Sequence, residues 1–304
     1  MINSPTSSHQ INAAIHHLVK KVFKGNIKIH QLTDELNQWY VQFMHAYDDS
    51  LNYISSINAF LWATQRLVNH LYPDDVVWTD ELAREFVYEL KRYYPQYIDD
   101  KANHVHQEQD NSHSLQLYLS QLFTHHKRLL FVRVDLKYHT CSQGQISVRD
   151  FHKHMTVLKQ RISNQKSCFK NLQGSAWALE QGGEDGGLHC HLLLIYDGFK
   201  QVNGWTVAKA VGKKWADITE GYGTHFNCHD QTYTSCYEVS GKLGIGMIHQ
   251  DNEQEVNNAL RTSSYLTRPS KYDQKLKVWL PNKRTFGHGQ YRTKKRRGLP
   301  PISK

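Results

Sequence analysis

The chain of 304 residues is 39% hydrophobic and 12% aromatic with a formal net charge of +9, a composition that excludes disorder outside the ends. Its longest apolar runs, around Leu129 to Val132 and Leu192 to Ile195, fall far short of the roughly 20 residues that span a bilayer. The polar opening Met1 to Gln10 lacks a signal peptide's apolar core, so a cytoplasmic protein with no membrane partner is expected. Five cysteines, Cys141, Cys168, Cys190, Cys228 and Cys236, form no CxxC pair, which argues against a disulfide framework and a structural zinc knuckle.

The charge is unevenly spread. Residues 1–125 hold 9 Lys+Arg against 14 Asp+Glu, a balance of −5, whereas residues 126–304 hold 28 against 14, a balance of +14. A surplus of that size favours a polyanion, nucleic acid first, although a membrane surface or mere solubility can use it too.

In chain order, residues 11–125 read as helices. Ile11, Ala14, Ile15, Leu18 and Val22 recur at helical spacing, as do Leu32, Leu36, Trp39 and Phe43, then Ile54, Ile57, Phe60 and Leu61. Leu82, Phe86, Val87 and Leu90 follow Thr79 as an N-cap. The polar stretch Asp99 to Ser114 has no apolar period and reads as a linker that holds the domain boundary. The expected division is a helical region at 1–110, a catalytic α+β domain at 111–282 and a basic tail at 283–304.

After the linker the pattern changes. In Leu129 to Tyr138 one face is apolar (Leu130, Val132, Val134, Leu136) and the other carries Arg133, Asp135 and Lys137, a strand with one side on a core and the other open to solvent or ligand. Ser147 caps a helix marked by Val148, Phe151, Met155, Leu158 and Ile162, with Asp150 placed for a capping box. Ser175 to Gln181 and Leu188 to Tyr196 form a hairpin around the Gly-rich turn 182–187. A symmetric turn sets Glu180 across from His189 and Gln181 across from Leu188. A helix from Thr206 to Ile218, strands near Thr224 to Cys228 and Leu243 to His249, and a last helix from Glu253 to Thr267 complete the pattern, with Pro269 as its stop.

The chemistry gathers on that hairpin. His189 and His191 alternate with Leu188, Cys190 and Leu192, so both imidazoles lie on one face about 7 Å apart along the strand. With Glu180 they make a two-His-one-carboxylate face that suits Mg2+, Mn2+ or Zn2+ and leaves positions for substrate oxygens. The alternative is that both histidines are ordinary polar strand residues, since a bare HxH arises often by chance. The pairs His125/His126, His104/His106 and His152/His154 lack a partner carboxylate in a strand setting and read as surface residues.

Leu188-His189-Cys190-His191 behind Glu180 resembles the signature of the His-hydrophobic-His (HUH) endonucleases that start rolling-circle replication. Arg133-Val134-Asp135-Leu136, the Gly187-to-Leu194 strand, Trp215 and Ser264-Tyr265-Leu266-Thr267 resemble more closely the inovirus replication-initiator family and its YagK/YfjJ-type prophage relatives, over about residues 127–280. The resemblance implies an HUH-like antiparallel sheet with helices on one face, a divalent metal (Mg2+ or Mn2+) on the open face, and a tyrosine that attacks DNA to leave a 5′-phosphotyrosine and a free 3′-hydroxyl. Tyr265 matches the family position; Tyr272, followed three residues later by Lys275, is the alternative nucleophile. Arg268 stands where related initiators carry lysine, which keeps charge but changes geometry.

A phenol of pKa about 10 is a weak nucleophile at neutral pH, so a cation must withdraw charge from the phosphate it attacks. Arg133, Arg261, Arg268 and Lys271 are expected to hold flanking phosphates, and Asp135 either to assist the metal or, the favoured reading, to pair with Arg133. The tail from Lys283-Arg284 to Lys294, Lys295, Arg296 and Arg297, with Phe286 and Tyr291 interleaved, reads as a disordered arm for DNA backbone contact, the alternative being a solubilising tail. The expectation is therefore a site-specific single-strand nicking and joining enzyme for a phage or prophage element. Its partners would be origin DNA and host replication proteins. Two other readings stay open: a non-catalytic DNA-binding regulator with the same fold, and a metal hydrolase that uses activated water and needs no tyrosine.

Overall fold

In a computed structural model that describes residues 7–182 and 187–291, the first 125 residues form helices α1 (Ser8–Phe23), α2 (Ile29–Ala46), α3 (Ser55–Val68), α4 (Asp80–Lys91) and α5 (Tyr94–His125), with a two-residue strand β1 (Asn52–Tyr53) between α2 and α3. Most of the periodic residues read from the sequence bury, Ile15, Leu18, Leu32, Leu36, Ile57, Phe60 and Phe86 sharing one core, while Trp39, Leu82 and Val87 pack half-buried against it. Thr79 caps α4 by accepting from the Leu82 amide.

The expected linker is corrected. Residues 99–114 lie inside α5, one continuous helix of 32 residues. The absence of an apolar period has a physical reason: most of this middle stretch is exposed, and only the two ends pack. Tyr97 enters the helical core, while Leu115, Tyr118, Leu119 and Leu122 pack beneath the sheet.

Beyond α5 come β2 (Arg128–Tyr138), α6 (Val148–Ser163), β3 (Leu172–Gly182), β4 (Gly187–Asp197), α7 (Gly204–Ile218), β5 (Gly223–Asn227), α8 (Gln231–Val239), β6 (Gly246–His249), α9 (Glu253–Ser263), β7 (Val278–Trp279) and β8 (Phe286–His288). The main sheet runs β5-β2-β4-β3-β8, with β6 also on β2, and the strand pairs are antiparallel. The protein is thus α+β, with an N-terminal helical region. Among the described residues no helix is long and apolar enough to cross a membrane. The cysteines are free.

Alternation divides the sheet cleanly. Leu130, Val132, Val134, Leu136, Cys190, Leu192 and Leu194 point to one face, where Phe151, Met155 and Leu158 of α6 and Val211 and Trp215 of α7 cover them. Helices cover the second face as well, which corrects the expectation of helices on one face. Leu129, Phe131, Leu193 and Ile195 meet Leu119, Leu122 and Phe123 of α5 and Ala259 of α9 there. That cover reaches only the half of the face where β2 starts and β4 ends. The other half carries Arg133, Asp135, His191, His189 and Glu180, so the polar residues sit where the helical lid stops.

Two C-terminal segments depart from expectation. The chain after α9 returns to the helical region, where β7 pairs with β1 and Tyr272 and Val278 join the helical core. The expected disordered arm is also partly ordered: Phe286 to His288 pair with Ala176 to Ala178 as an edge strand, and Tyr291 packs on His125. Lys294, Lys295, Arg296 and Arg297 lie outside the described residues.

Candidate metal centre and active site

Strand register builds the site. Glu180 faces His189 across the β3–β4 pair and Ala178 faces His191, so Glu180 stands beside one histidine and diagonal to the other. On the other side of β4, His191 faces Asp135 of β2. The long apolar runs of β2 and β4 hold this register, because a slip by one residue would turn Leu130 to Leu136 out of the core.

Both imidazoles are oriented by what their Nδ1 atoms meet. His191 Nδ1 donates to Asp135 Oδ1 at 2.6 Å, and His189 Nδ1 lies 3.1 Å from the Gly187 carbonyl. The two Nε2 atoms therefore face the same carboxylate oxygen, Glu180 Oε2, at 3.2 Å from His191 and 3.7 Å from His189. Lys271 Nζ occupies the second oxygen, donating to Glu180 Oε1 at 2.7 Å. Gly182 leaves room for the His189 ring: a Cβ there would stand 2.8 Å from His189 Cε1.

These three residues fit a divalent cation. Their ligand atoms all lie within 4.8 Å of one another, and atoms bound at ~2.1 Å to one ion stand about 3–3.5 Å apart, close to the separations seen here. Each imidazole also has a fixed acceptor behind it, the arrangement that sets the tautomer of a metal-bound histidine. Glu180 and His191 are buried and His189 partly so. An open depression of about 940 Å³ over His249, Asp251 and Glu253 gathers no such group among the described residues.

The electrostatics support a charged cluster. Burial works to raise the Glu180 pKa, but hydrogen bonds from His189 and His191 and the Lys271 ammonium outweigh it and hold the carboxyl well below the usual range. Burial likewise works against a charged His191, yet Asp135 and Glu180 pull its pKa up. Asp135 is held low, against its burial, by His191 and Arg133. Arg133 itself is buried, with Nε 3.5 Å from Asp135 Oδ1. The expected Arg133–Asp135 pair is present, but the shorter bond from Asp135 goes to His191. Support of the metal ligand His191 is the other role that the sequence left open for Asp135, which lies on the polar face of a strand beside β4.

Tyr265 stands next to this cluster. It lies in the 3-10 turn Ser264–Thr267 that continues α9, with its ring edge-on to His191 at 5.2 Å between centroids. Lys271 Nζ is 3.4 Å from the ring centroid, the Arg133 guanidinium 4.4 Å and the Arg268 guanidinium 4.9 Å. The ring is half-buried. Burial, with Glu180 nearby, pushes the phenol's pKa up despite Arg133 and Arg268, which work to lower it.

The other expected residues fall elsewhere. Tyr272 is buried in the helical core with its hydroxyl donating to Asp100 at 3.0 Å, and burial raises its pKa strongly. Arg261 bonds Asn258 Oδ1 at 2.9 Å and the Lys242 carbonyl at 3.4 Å on the exposed side of α9. Lys271, expected at a flanking phosphate, sits within the cluster on Glu180. Of the histidines read as surface residues, His152 is buried and the His104 Nε2 atom is enclosed without a hydrogen-bond partner; burial accounts for both, since α6 packs on the sheet and α5 on the C-terminal segment. The Trp215 indole is fully buried and donates to the Lys137 carbonyl at 2.7 Å, tying α7 to β2. In comparisons with known proteins, no family model, no curated protein and no solved structure matches this chain.

Proposed function

We propose that this protein is a metal-dependent, tyrosine-nucleophile enzyme that nicks and rejoins single-stranded DNA, initiating rolling-circle replication of a phage or prophage element. The observation that carries the reading is the adjacency of Tyr265 to the Glu180–His189–His191 group, ringed by Arg133, Arg268 and Lys271. A buried ligand set alone fits many metalloproteins. A phenol among three cations at its edge fits attack on a phosphodiester.

Glu180, His189 and His191 would hold Mg2+ or Mn2+, which when bound supplies charge withdrawal from the scissile phosphate. Asp135 holds the His191 proton on Nδ1, so the proton that Nε2 shares with Glu180 is the one that metal binding would displace. Lys271 and Arg268 offset the phosphate charge that would otherwise repel the phenol oxygen. Tyr265 Oη forms a bond to phosphorus as the bond from phosphorus to the 3′ oxygen breaks. The phenol gives up its proton and the departing 3′ oxygen gains one, so the products are a 5′-phosphotyrosyl ester and a free 3′-hydroxyl. One ester replaces another, so the reverse attack by a 3′-hydroxyl rejoins the strand with no energy source.

The test incubates the full chain with single-stranded DNA carrying a phage origin and Mn2+, then looks for a protein–DNA adduct on a denaturing gel. An adduct is expected, lost with EDTA and in His189→Ala and His191→Ala. Cleaved DNA without an adduct would favour hydrolysis by activated water, and DNA binding without cleavage would favour a regulator.

A further inference from the structure

Beside the metal centre a groove of about 760 Å³ runs between the middle of α5 and the C-terminal segment. Glu180, Arg268 and Lys271 belong to both the groove and the candidate active site, so the groove opens beside Tyr265. The two walls differ in chemistry. The α5 wall presents Asn103, Gln107 and Asn111, spaced four residues apart and so on one helix face, together with the carboxylates Asp100, which is paired with Lys275, and Glu108. The facing wall presents Arg268, Lys275, Lys283 and Arg284, with the aromatic rings of Trp279 and Phe286 among them.

We propose that this groove sets the enzyme's sequence preference: single-stranded DNA next to the nick lies with its phosphates on the basic wall while the α5 amides read its bases. The inference rests on the nicking function for the position of the strand, and it names the residues that choose the site. Amide side chains offer a donor and an acceptor together, the pattern that pairs with base edges. Successive rungs on a helix stand ~6 Å apart, wider than the ~3.4 Å between stacked bases, which suits bases splayed from one another as in a single strand.

The α5 wall carries amides that a ligand in the groove can reach, Asn103 and Gln107 being exposed. Gln107 Nε2 donates to Asn111 Oδ1 at 3.3 Å and Asn111 Nδ2 to Glu108 at 3.1 Å, which leaves the Gln107 carbonyl open. Asn103 makes no side-chain hydrogen bond among the described residues. His104, between the rungs, also lines the groove, and its Nε2 atom is enclosed without a hydrogen-bond partner. On the basic wall Lys275 is paired with Asp100 at 2.9 Å, but Arg268, Lys283 and Arg284 have no ion-pair partner among the described residues. Trp279 and Phe286 add faces on which bases can stack.

The experiment selects single strands from a random-sequence fluorescein-labelled 20-mer pool with the full-length protein in EDTA, so that binding is read apart from cleavage. The wild type is expected to enrich a short motif. The triple variant Asn103→Ala, Gln107→Ala, Asn111→Ala keeps its helix, because alanine is the best helix former, and should lose about tenfold in discrimination at each of two or three adjacent positions. The pair Lys283→Ala, Arg284→Ala should instead weaken every sequence alike and lower the salt dependence by roughly 0.7 per charge removed. Unchanged enrichment in the triple variant, or tighter binding of the selected sequence as a duplex, overturns the proposal. Because selection and adduct formation are separate readouts, enrichment lost with no Tyr265 adduct keeps the groove and refutes the nicking reading. An adduct with unchanged enrichment does the reverse.

Discussion

His191 Nδ1 donates to Asp135 Oδ1 at 2.6 Å across two neighbouring strands, a bond that fixes which ring nitrogen faces Glu180. Removing the acceptor charge should therefore act on metal affinity before it acts on the fold. Asp135→Asn is expected to weaken Mn2+ binding by about 10–100-fold, the usual cost of losing such a partner, as read by calorimetric titration. An unchanged affinity would mean that Asp135 serves only Arg133.

The two tyrosines separate by environment. Tyr265→Phe should abolish the DNA adduct with little effect on stability, since its half-buried ring stays among the same cations. Tyr272→Phe should leave the adduct and cost about 1–2 kcal/mol in urea unfolding, because the Asp100 carboxylate loses one donor while Ser55 and Lys275 remain. The opposite pattern would move the nucleophile to Tyr272.

Gly182→Ala should disturb the metal site from outside its ligand set. The added Cβ would fall 2.8 Å from His189 Cε1, so the ring must turn away from Glu180. Mn2+ affinity is expected to drop at least about tenfold, with the melting temperature little changed. Wild-type affinity in this variant would show that His189 tolerates a different rotamer.

Acid should destabilise the fold. His9, His16 and His152 are buried, and burial lowers each pKa from 6.5 to about 4. Between those values the unfolded chain binds protons that the folded chain refuses, so stability is full above pH 6.5 and falls as pH drops toward 4. The limit is about 3 kcal/mol for each histidine. Urea midpoints at pH 7 and pH 5 read the slope, and His16→Asn should flatten it. A midpoint that does not fall toward pH 5 would contradict the burial of these rings.

Much of the site was legible because it is local. The turn-rich stretch between two alternating segments sets the hairpin register, and the register places Glu180 opposite His189. What depended on distant pairing was not legible. Asp135 meets His191 only because β2 lies beside β4, 56 residues away. Tyr272 enters the helical core only because β7 returns to β1, and that two-residue pairing leaves no pattern in the sequence. The middle of α5 looked like a linker because its exposed faces need no apolar residues; the same lack of apolar period is what makes it a polar wall beside the metal centre. Phe286 to His288 was hidden by the basic residues around a three-residue strand.

The most direct test of the central claim is mass spectrometry of the covalent product. The full chain is incubated with single-stranded phage-origin DNA and Mn2+, digested with nuclease and protease, and the peptides searched for a phosphonucleotide. The account predicts the modification on Tyr265, absent when His191 is replaced by alanine. A phosphonucleotide on any other residue, or nicked DNA with no modified peptide, would contradict it.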